Sequence, residues 1–141
     1  MKVSSLIRGK AVETIGPSAS IEELTTQLKR HNVGALVVQQ DGKIDGIVSE
    51  RDIVRAMPGN LESLPKLKVR DLMSTRVLTC SEETTISELM ATMTEKRIRH
   101  VPVVDSEGRL LSIVSIGDIM KSYSDEVNEE RKALEGYIVG G

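Results

Sequence analysis

The sequence contains a serine followed three positions later by an aspartate at two places about half the chain apart. These are Ser49 with Asp52 and Ser115 with Asp118, and each pair follows a β-branched run and begins a helical pattern. Free backbone N–H groups at a helix start attract anions, and a carboxylate can accept two hydrogen bonds from vicinal hydroxyl groups such as those of a ribose. The pattern therefore indicates a nucleoside-phosphate site. The same spacing is also a helix-capping signature that needs no ligand, and this alternative stays open.

Residues suited to catalysis are scarce in this chain. His31 and His100 are the two histidines, and the single cysteine, Cys80, excludes an internal disulfide framework. The sequence has no Gly-x-Ser-x-Gly nucleophile motif, no closely spaced histidine pair for a metal and no Gly-rich phosphate loop. We therefore expect no enzymatic activity, no catalytic cofactor and no bound metal.

The composition is that of a globular chain with no strong charge bias. Its 141 residues are 39% hydrophobic and 28% charged, and the formal net charge is −2. This balance, with two tyrosines as the only aromatic residues, argues against binding to nucleic acid. Since no apolar run approaches the roughly 20 residues that span a bilayer and no secretory signal is evident, we expect a cytoplasmic location and no membrane contact.

The chain is an internal repeat. Residues 2–7 align with residues 68–73, and residues 46–55 align with residues 112–121. Two copies are too few for an open solenoid and suggest a closed pair related by a pseudo-twofold axis. The predicted boundaries are a first domain over residues 1–58, a linker over 59–67, a second domain over 68–125, and a C-terminal helix and tail over 126–141.

Each copy predicts the order strand, helix, strand, strand, helix, which is an α/β (α+β) fold. Ser20 with Glu23, and Thr85 with Glu88, are capping-box pairs that begin the first helix of each copy, and the second helices start near the two Ser–Asp pairs. Neither copy, at about 55 residues, buries much core alone, so we expect the two to pack together. The strands are predicted at residues 12–15, 35–38 and 44–48 in the first copy and at 77–80, 101–104 and 110–114 in the second.

The charged tail carries Val127, Leu134 and Ile138 at roughly helical spacing, which predicts an added helix. Its apolar stripe would pack on the body of the same chain or on a partner chain. A solvated tail is the alternative, and the sequence does not choose between them.

The chain resembles a tandem pair of cystathionine-β-synthase (CBS) domains, an assembly called a Bateman module. Two blocks carry the resemblance: Gly46-Ile47-Val48-Ser49-x-x-Asp52 and Ile98-Arg99-His100-Val101-Pro102-Val103-Val104-Asp105. The resemblance implies a regulatory module that binds AMP, ADP, ATP or NAD(H) in the cleft between the domains, with S-adenosylmethionine as a third possibility. It also implies a homodimer and an effector protein of unknown identity. The alternative is a dimerisation or protein-interaction module whose pockets are vestigial.

The resemblance also implies roles for individual residues. Asp52 and Asp118 would hold the ribose, and Ser49 and Ser115 would touch phosphate or ribose. The phosphate would be contacted by Arg51, Arg99 and His100. The adenine would be framed by Leu36, Val37, Val101 and Pro102 and read at its rim by Thr14 and Thr79. Because Pro102 has no N–H, we expect it at a strand edge or facing the ligand.

The two pockets are predicted to differ. Arg51 has Gly117 as its counterpart, and the pair Arg99-His100 has Gly34-Ala35. If the basic pair of one domain reaches the ligand held by the other, the pocket of Asp52 is rich in positive charge and the pocket of Asp118 is poorer. The alternatives are that Arg51 and Arg99 are solvated or paired with Glu50 or Glu95, and that His100 is a surface histidine.

Overall fold

The computed structural model of the chain describes residues 1–140, and they form two similar halves of mixed helix and strand. The α+β class predicted from the sequence is confirmed. The strands are β1 (Thr14–Ile15), β2 (Ala35–Gln40), β3 (Lys43–Ser49), β4 (His100–Val104) and β5 (Leu110–Ser115), and the helices are α1 (Ile21–His31), α2 (Glu50–Ala56), α3 (Val69–Leu72), α4 (Ile86–Lys96) and α5 (Ile116–Gly140).

The two sheets bring the end of one strand beside the start of another. In the first half β1 runs parallel to β2, and β2 is antiparallel to β3 with Ala35 opposite Ser49. In the second half β4 is antiparallel to β5 with His100 opposite Ser115. In both halves this register places the serine of the Ser–Asp pair, which is the last residue of its strand, beside the first residue of the neighbouring strand.

The first strand of the second half, predicted at residues 77–80, shrinks to one bridge between Cys80 and Val103. Pro102 accounts for the loss. Its carbonyl accepts a hydrogen bond from the Cys80 N–H (3.0 Å), but it has no N–H with which to extend the ladder on that side. Val37 occupies the matching place in β2, keeps its N–H and pairs with Thr14. The expected edge position of Pro102 agrees with the sheet, because β4 and β5 form a two-stranded sheet and the other side of β4 meets the chain at the isolated bridge of Cys80.

The first helices begin as their capping pairs predicted. The Ser20 hydroxyl accepts from the Glu23 N–H at 3.1 Å. The Thr85 hydroxyl accepts from the Glu88 N–H at 3.1 Å, and the Glu88 carboxylate accepts from the Thr85 N–H at 3.3 Å. Each of these helices packs an apolar face into the core of its own half, with Leu24 and Leu28 of α1 in the first core and Leu89 and Met93 of α4 in the second.

The two halves exchange their first segments. The Val3 N–H donates to the Thr84 carbonyl (2.8 Å), and the Val69 N–H donates to the Ala19 carbonyl (2.9 Å). Val3 thereby joins the core of the second half and Val69 joins the core of the first. Each core is completed by the segment that begins the other repeat, which is the reciprocal packing expected of a pseudo-twofold pair. The predicted boundaries at 58 and 68 describe the repeat along the sequence. Each core, however, contains residues from both sides of these boundaries.

The last helix of the second copy and the added C-terminal helix, predicted as separate elements, form the single helix α5. The segment between Gly117 and Gly136 contains no glycine or proline and is rich in Glu, Lys, Arg and Ala, which are strong helix formers. Its side chains are exposed from Tyr123 to Tyr137. Gly141, the end of the predicted tail, lies outside the described residues.

No described helix combines the length and apolar character needed to cross a bilayer. The cytoplasmic location expected from the sequence stays a prediction.

Candidate functional site

A cleft of about 250 Å³ lies between the two halves, and both contribute to its walls. The first half supplies the start of β2, the end of β3 and the first turns of α2. The second half supplies the segment after α3 and the connection from α4 to β4. The lining residues are Gly34, Ala35, Ile47, Ser49, Glu50, Arg51, Asp52, Arg55, Ser74, Arg76, Val77, Leu78, Arg97, Ile98, Arg99 and His100.

Ser49 and Asp52 form a capping box at the floor of this cleft. One carboxylate oxygen, Oδ2 of Asp52, accepts from the Ser49 N–H (2.8 Å) and from the Ser49 hydroxyl (3.1 Å). Within the described chain no hydrogen bond reaches the other oxygen, Oδ1. The capping interpretation and the ligand interpretation are therefore compatible, because the cap orients the carboxylate and leaves one oxygen to accept from a ligand hydroxyl.

Five arginines surround the same cleft. None of them forms an ion pair with a carboxylate within residues 1–137, so the pairing of Arg51 with Glu50 or of Arg99 with Glu95 does not occur there. The carboxylates that line the cleft are Glu50 and Asp52, so positive charge is in excess. The arginines are Arg51 and Arg55 on α2, Arg76 after α3, and Arg97 and Arg99 between α4 and β4.

Three of these arginines, Arg55, Arg76 and Arg97, were not predicted from the sequence to lie at a ligand site. Arg55 had an available signal, because it lies four residues after Arg51 and so on the same face of α2. Arg76 and Arg97 had none, since their approach depends on how the halves pack. Arg97 has a left-handed backbone (φ 55°), an unusual conformation for a residue with a long side chain. Asn32 holds the matching place after α1 with φ 52°.

His100 begins β4 and packs on Gly34, where a side chain would meet it. A Cβ atom at Gly34 would lie 3.4 Å from both Cε1 and Nε2 of His100, which is close van der Waals contact. Burial lowers the pKa of His100. The charges of Asp118 and Glu50 raise that pKa, those of Lys10 and Arg99 lower it, and the net direction is down. His100 is therefore neutral at pH 7 in the free protein.

In the second pair, Ser115 and Asp118, the carboxylate is bonded to the ammonium group of Lys10, which was not predicted from the sequence. Oδ2 of Asp118 accepts from the Ser115 N–H (2.8 Å), the Ser115 hydroxyl (2.9 Å) and Nζ of Lys10 (2.7 Å). Lys10 also donates to the Ile113 carbonyl at 2.7 Å. Burial alone would raise the pKa of Asp118, but the bonds from Lys10 and Ser115 outweigh it and the pKa lies below its ordinary value.

The residues predicted to contact adenine do not line the cleft. Leu36 lies in the core of the first half and Val101 in the core of the second, and the roles of this group toward a ligand stay predictions. Thr14 pairs with β2, and Thr79 lies just beyond the lining residues Val77 and Leu78. The buried residues of this group are Leu36, Val37, Val101 and Pro102.

The remaining reactive groups offer little chemistry. Burial raises the pKa of the Cys80 thiol to about 11, so its reactive thiolate is scarce at neutral pH. Among the described residues, no cluster of three or more His, Cys, Asp or Glu side chains is arranged to hold a metal ion.

Comparison with known proteins identifies the family of this chain and matches both halves of the fold. The CBS domain family matches residues 3–59 and 69–125, and the chain belongs to this family. It is 36% identical over 127 residues to a mitochondrial CBS domain-containing protein of Arabidopsis thaliana. That match covers 86% of this chain and 61% of the relative, so the chain spans less than two thirds of that protein.

Two solved structures extend the comparison to ligands. A CBS domain protein of Pyrobaculum aerophilum complexed with AMP superimposes with a TM-score of 0.75 at 26% identity, covering 84% of this chain and 89% of that one. A CBS domain pair in complex with 5′-methylthioadenosine and S-adenosyl-L-methionine superimposes with a TM-score of 0.81 at 28% identity, covering 89% and 98%.

Proposed function

We propose that this chain is a regulatory module that binds a phosphorylated adenosine ligand in the cleft of Asp52. The observation that carries the proposal is the convergence of five arginines without carboxylate partners in the described chain beside a carboxylate with one open oxygen. Guanidinium groups match phosphate oxygens in geometry and charge, and the carboxylate suits a ribose diol. The cleft, at about 250 Å³, lies just below the roughly 300–1,000 Å³ of small-molecule pockets.

The charge of the cleft supports AMP, ADP, ATP or NAD(H) over S-adenosylmethionine. Five arginines face two carboxylates there, and α2, at seven residues, is too short for its dipole to account for the positive potential. A sulfonium ligand would bring a further positive charge into this field. We expect affinity to increase with the number of phosphates and to fall as salt is added.

The regulatory step follows from the position of the cleft. Arg51 and Arg55 belong to the first half, whereas Arg76, Arg97 and Arg99 belong to the second, so one ligand would contact both. Such a ligand stabilises the arrangement of the halves that brings these groups together, and an effector protein that distinguishes arrangements would respond. Catalysis and a catalytic cofactor have no part in this proposal.

The test is calorimetric titration of wild type and Asp52→Ala with ADP. Loss of charge-assisted hydrogen bonds of about 1.5–3 kcal/mol corresponds to roughly 10- to 150-fold weaker binding. Asp125→Ala is the matched control, because it removes the same group from an exposed position on α5. Equal affinity of Asp52→Ala and wild type, or no binding of ADP, AMP, ATP or NADH by wild type, would refute the proposal.

The homodimer is also proposed, with α5 as its contact. Six apolar side chains on this helix are exposed and recur with the alternating three- and four-residue spacing of a coiled coil, interrupted at Glu130. In a parallel pair with a second copy, Glu126 would face Arg131, which are opposite charges. The stripe comprises Ile116, Met120, Tyr123, Val127, Leu134 and Tyr137. A dimer that binds no nucleotide would favour the alternative of an interaction module.

A further inference from the structure

The second Ser–Asp pair differs from the first in what its carboxylate already holds. Oδ2 of Asp118 accepts three hydrogen bonds, one of them from the Lys10 ammonium, whereas Oδ2 of Asp52 accepts two, both from Ser49. The Lys10–Asp118 pair is only about a third exposed on either side chain. The ammonium is therefore held both by a carboxylate and by the Ile113 carbonyl, at 2.7 Å each.

The placement of Lys10 follows from the exchange of segments. The chain before Lys10 is fixed in the second half by Val3, which is fully buried there. Arg76 has the reciprocal place: it follows the segment anchored by Val69 in the first half and lines the cleft of Asp52. Within the described chain Arg76 forms no ion pair with Asp52, so only the second carboxylate is neutralised by the protein itself.

We propose that Lys10 occupies the ligand's place beside Asp118, so that each chain binds one nucleotide, in the cleft of Asp52. This inference rests on the proposed function. A ribose hydroxyl would have to displace an ammonium group, and a neutral donor bonds a carboxylate less strongly than a cation does. Displacement would also leave the Ile113 carbonyl without the donor that now bonds it. Lys10 thereby sets both the number of sites and the site that responds.

The test counts ADP molecules bound per full-length chain by equilibrium dialysis, at an ADP concentration that fills the wild-type site and lies below the Kd of Asp52→Ala. Wild type is expected to bind one. Lys10→Met, which keeps most of the side-chain stem but removes the ammonium, is expected to bind two. The double variants Lys10→Met with Asp118→Ala and Lys10→Met with Asp52→Ala are each expected to bind one. Lys43→Met, which removes an exposed lysine at the start of β3, is the control and is expected to bind one.

The outcomes separate this inference from the proposed function. Two ADP per wild-type chain, or one per Lys10→Met chain, would overturn the inference. No ADP on wild type but one on Lys10→Met with Asp52→Ala would support it while refuting the proposed function of the first cleft. An empty Lys10→Met/Asp52→Ala chain would overturn it whatever wild type does. Lys10→Gln repeats the test if the methionine variant fails to fold.

A second readout needs no nucleotide. Titration of the Asp118 carboxyl carbon by NMR should give a higher pKa in Lys10→Met than in wild type, because the ammonium that favours the carboxylate is gone. An unchanged pKa would show that Lys10 does not neutralise Asp118 in solution, and would overturn the inference.

Discussion

His100 pairs with Ser115 in the sheet and lines the cleft of Asp52, so we expect its protonation to link ligand binding to pH. Its pKa is lowered in the free protein, first by burial, so the ring is neutral at pH 7. A phosphate bound beside Arg99 and His100 would favour the imidazolium and raise that pKa. Binding would then take up a proton. In the free protein the same lowered pKa means that the unfolded chain binds the proton more tightly, so stability decreases as pH falls below 6.5.

We therefore expect wild type to bind ADP more tightly as pH falls from about 7.5 to 6, with a limit of about tenfold for each unit by which phosphate raises the pKa. His100→Gln should show a shallower dependence. The comparison is necessary because a phosphate itself titrates near pH 6. Isothermal titration at several pH values measures both affinity and proton uptake. Parallel pH profiles for the two proteins would contradict the assignment.

At the scale of single residues, the sequence indicated the capping pair and three basic residues that line the cleft. Ser49 and Asp52 are neighbours in one capping box, and the expectation that Arg51, Arg99 and His100 would approach them agrees with the cleft. Their roles toward a ligand stay predictions. Lys10 and Arg76 were not found, because Lys10 reaches Asp118 and Arg76 reaches the cleft of Asp52 only through the exchange of segments between halves.

At the scale of elements, local signals predicted helix starts better than strand lengths. Hydroxyl caps at Ser20 and Thr85 satisfy backbone donors within one turn, so their effect does not depend on distant residues. The short first strand of the second half depends instead on Pro102, which lies more than twenty positions later. The continuous helix α5 was divided in the prediction because the repeat ends at 125, although nothing in the residues there ends a helix.

The apolar stripe of α5 gives an element-scale prediction. Leu134→Glu should weaken self-association at least tenfold, because it places a charge at a position that is 63% exposed in the single chain and would be buried in a coiled coil. Sedimentation velocity over a range of concentrations measures the change. Lys132→Glu, which introduces the same residue on another face of α5, should associate as wild type does. A wild-type monomer at all concentrations, or equal dimerisation of both variants, would exclude this contact.

At the scale of the whole molecule, the exchanged segments make two repeats into one folding unit. The core of each half lacks a buried residue until the other repeat supplies it, Val69 for the first and Val3 for the second. Both valines are fully buried. A half that unfolded alone would withdraw its segment from the core of the other half. The interlocked packing therefore predicts a single cooperative transition rather than two.

Val3→Ala and Val69→Ala should each lower the free energy of unfolding of the entire chain by about 1.5–3 kcal/mol, since each removes buried methyl groups from the opposite half. Urea unfolding followed by circular dichroism measures the loss, and calorimetry compares the measured enthalpy with that expected for one transition. Protein concentration must be held constant because association adds to apparent stability. Val54→Ala, at a position 62% exposed, should change stability by less than about 0.5 kcal/mol. A Val3→Ala chain that melts in two steps, with the first half retained, would show that the halves are stable separately and that the crossing segments only tether them.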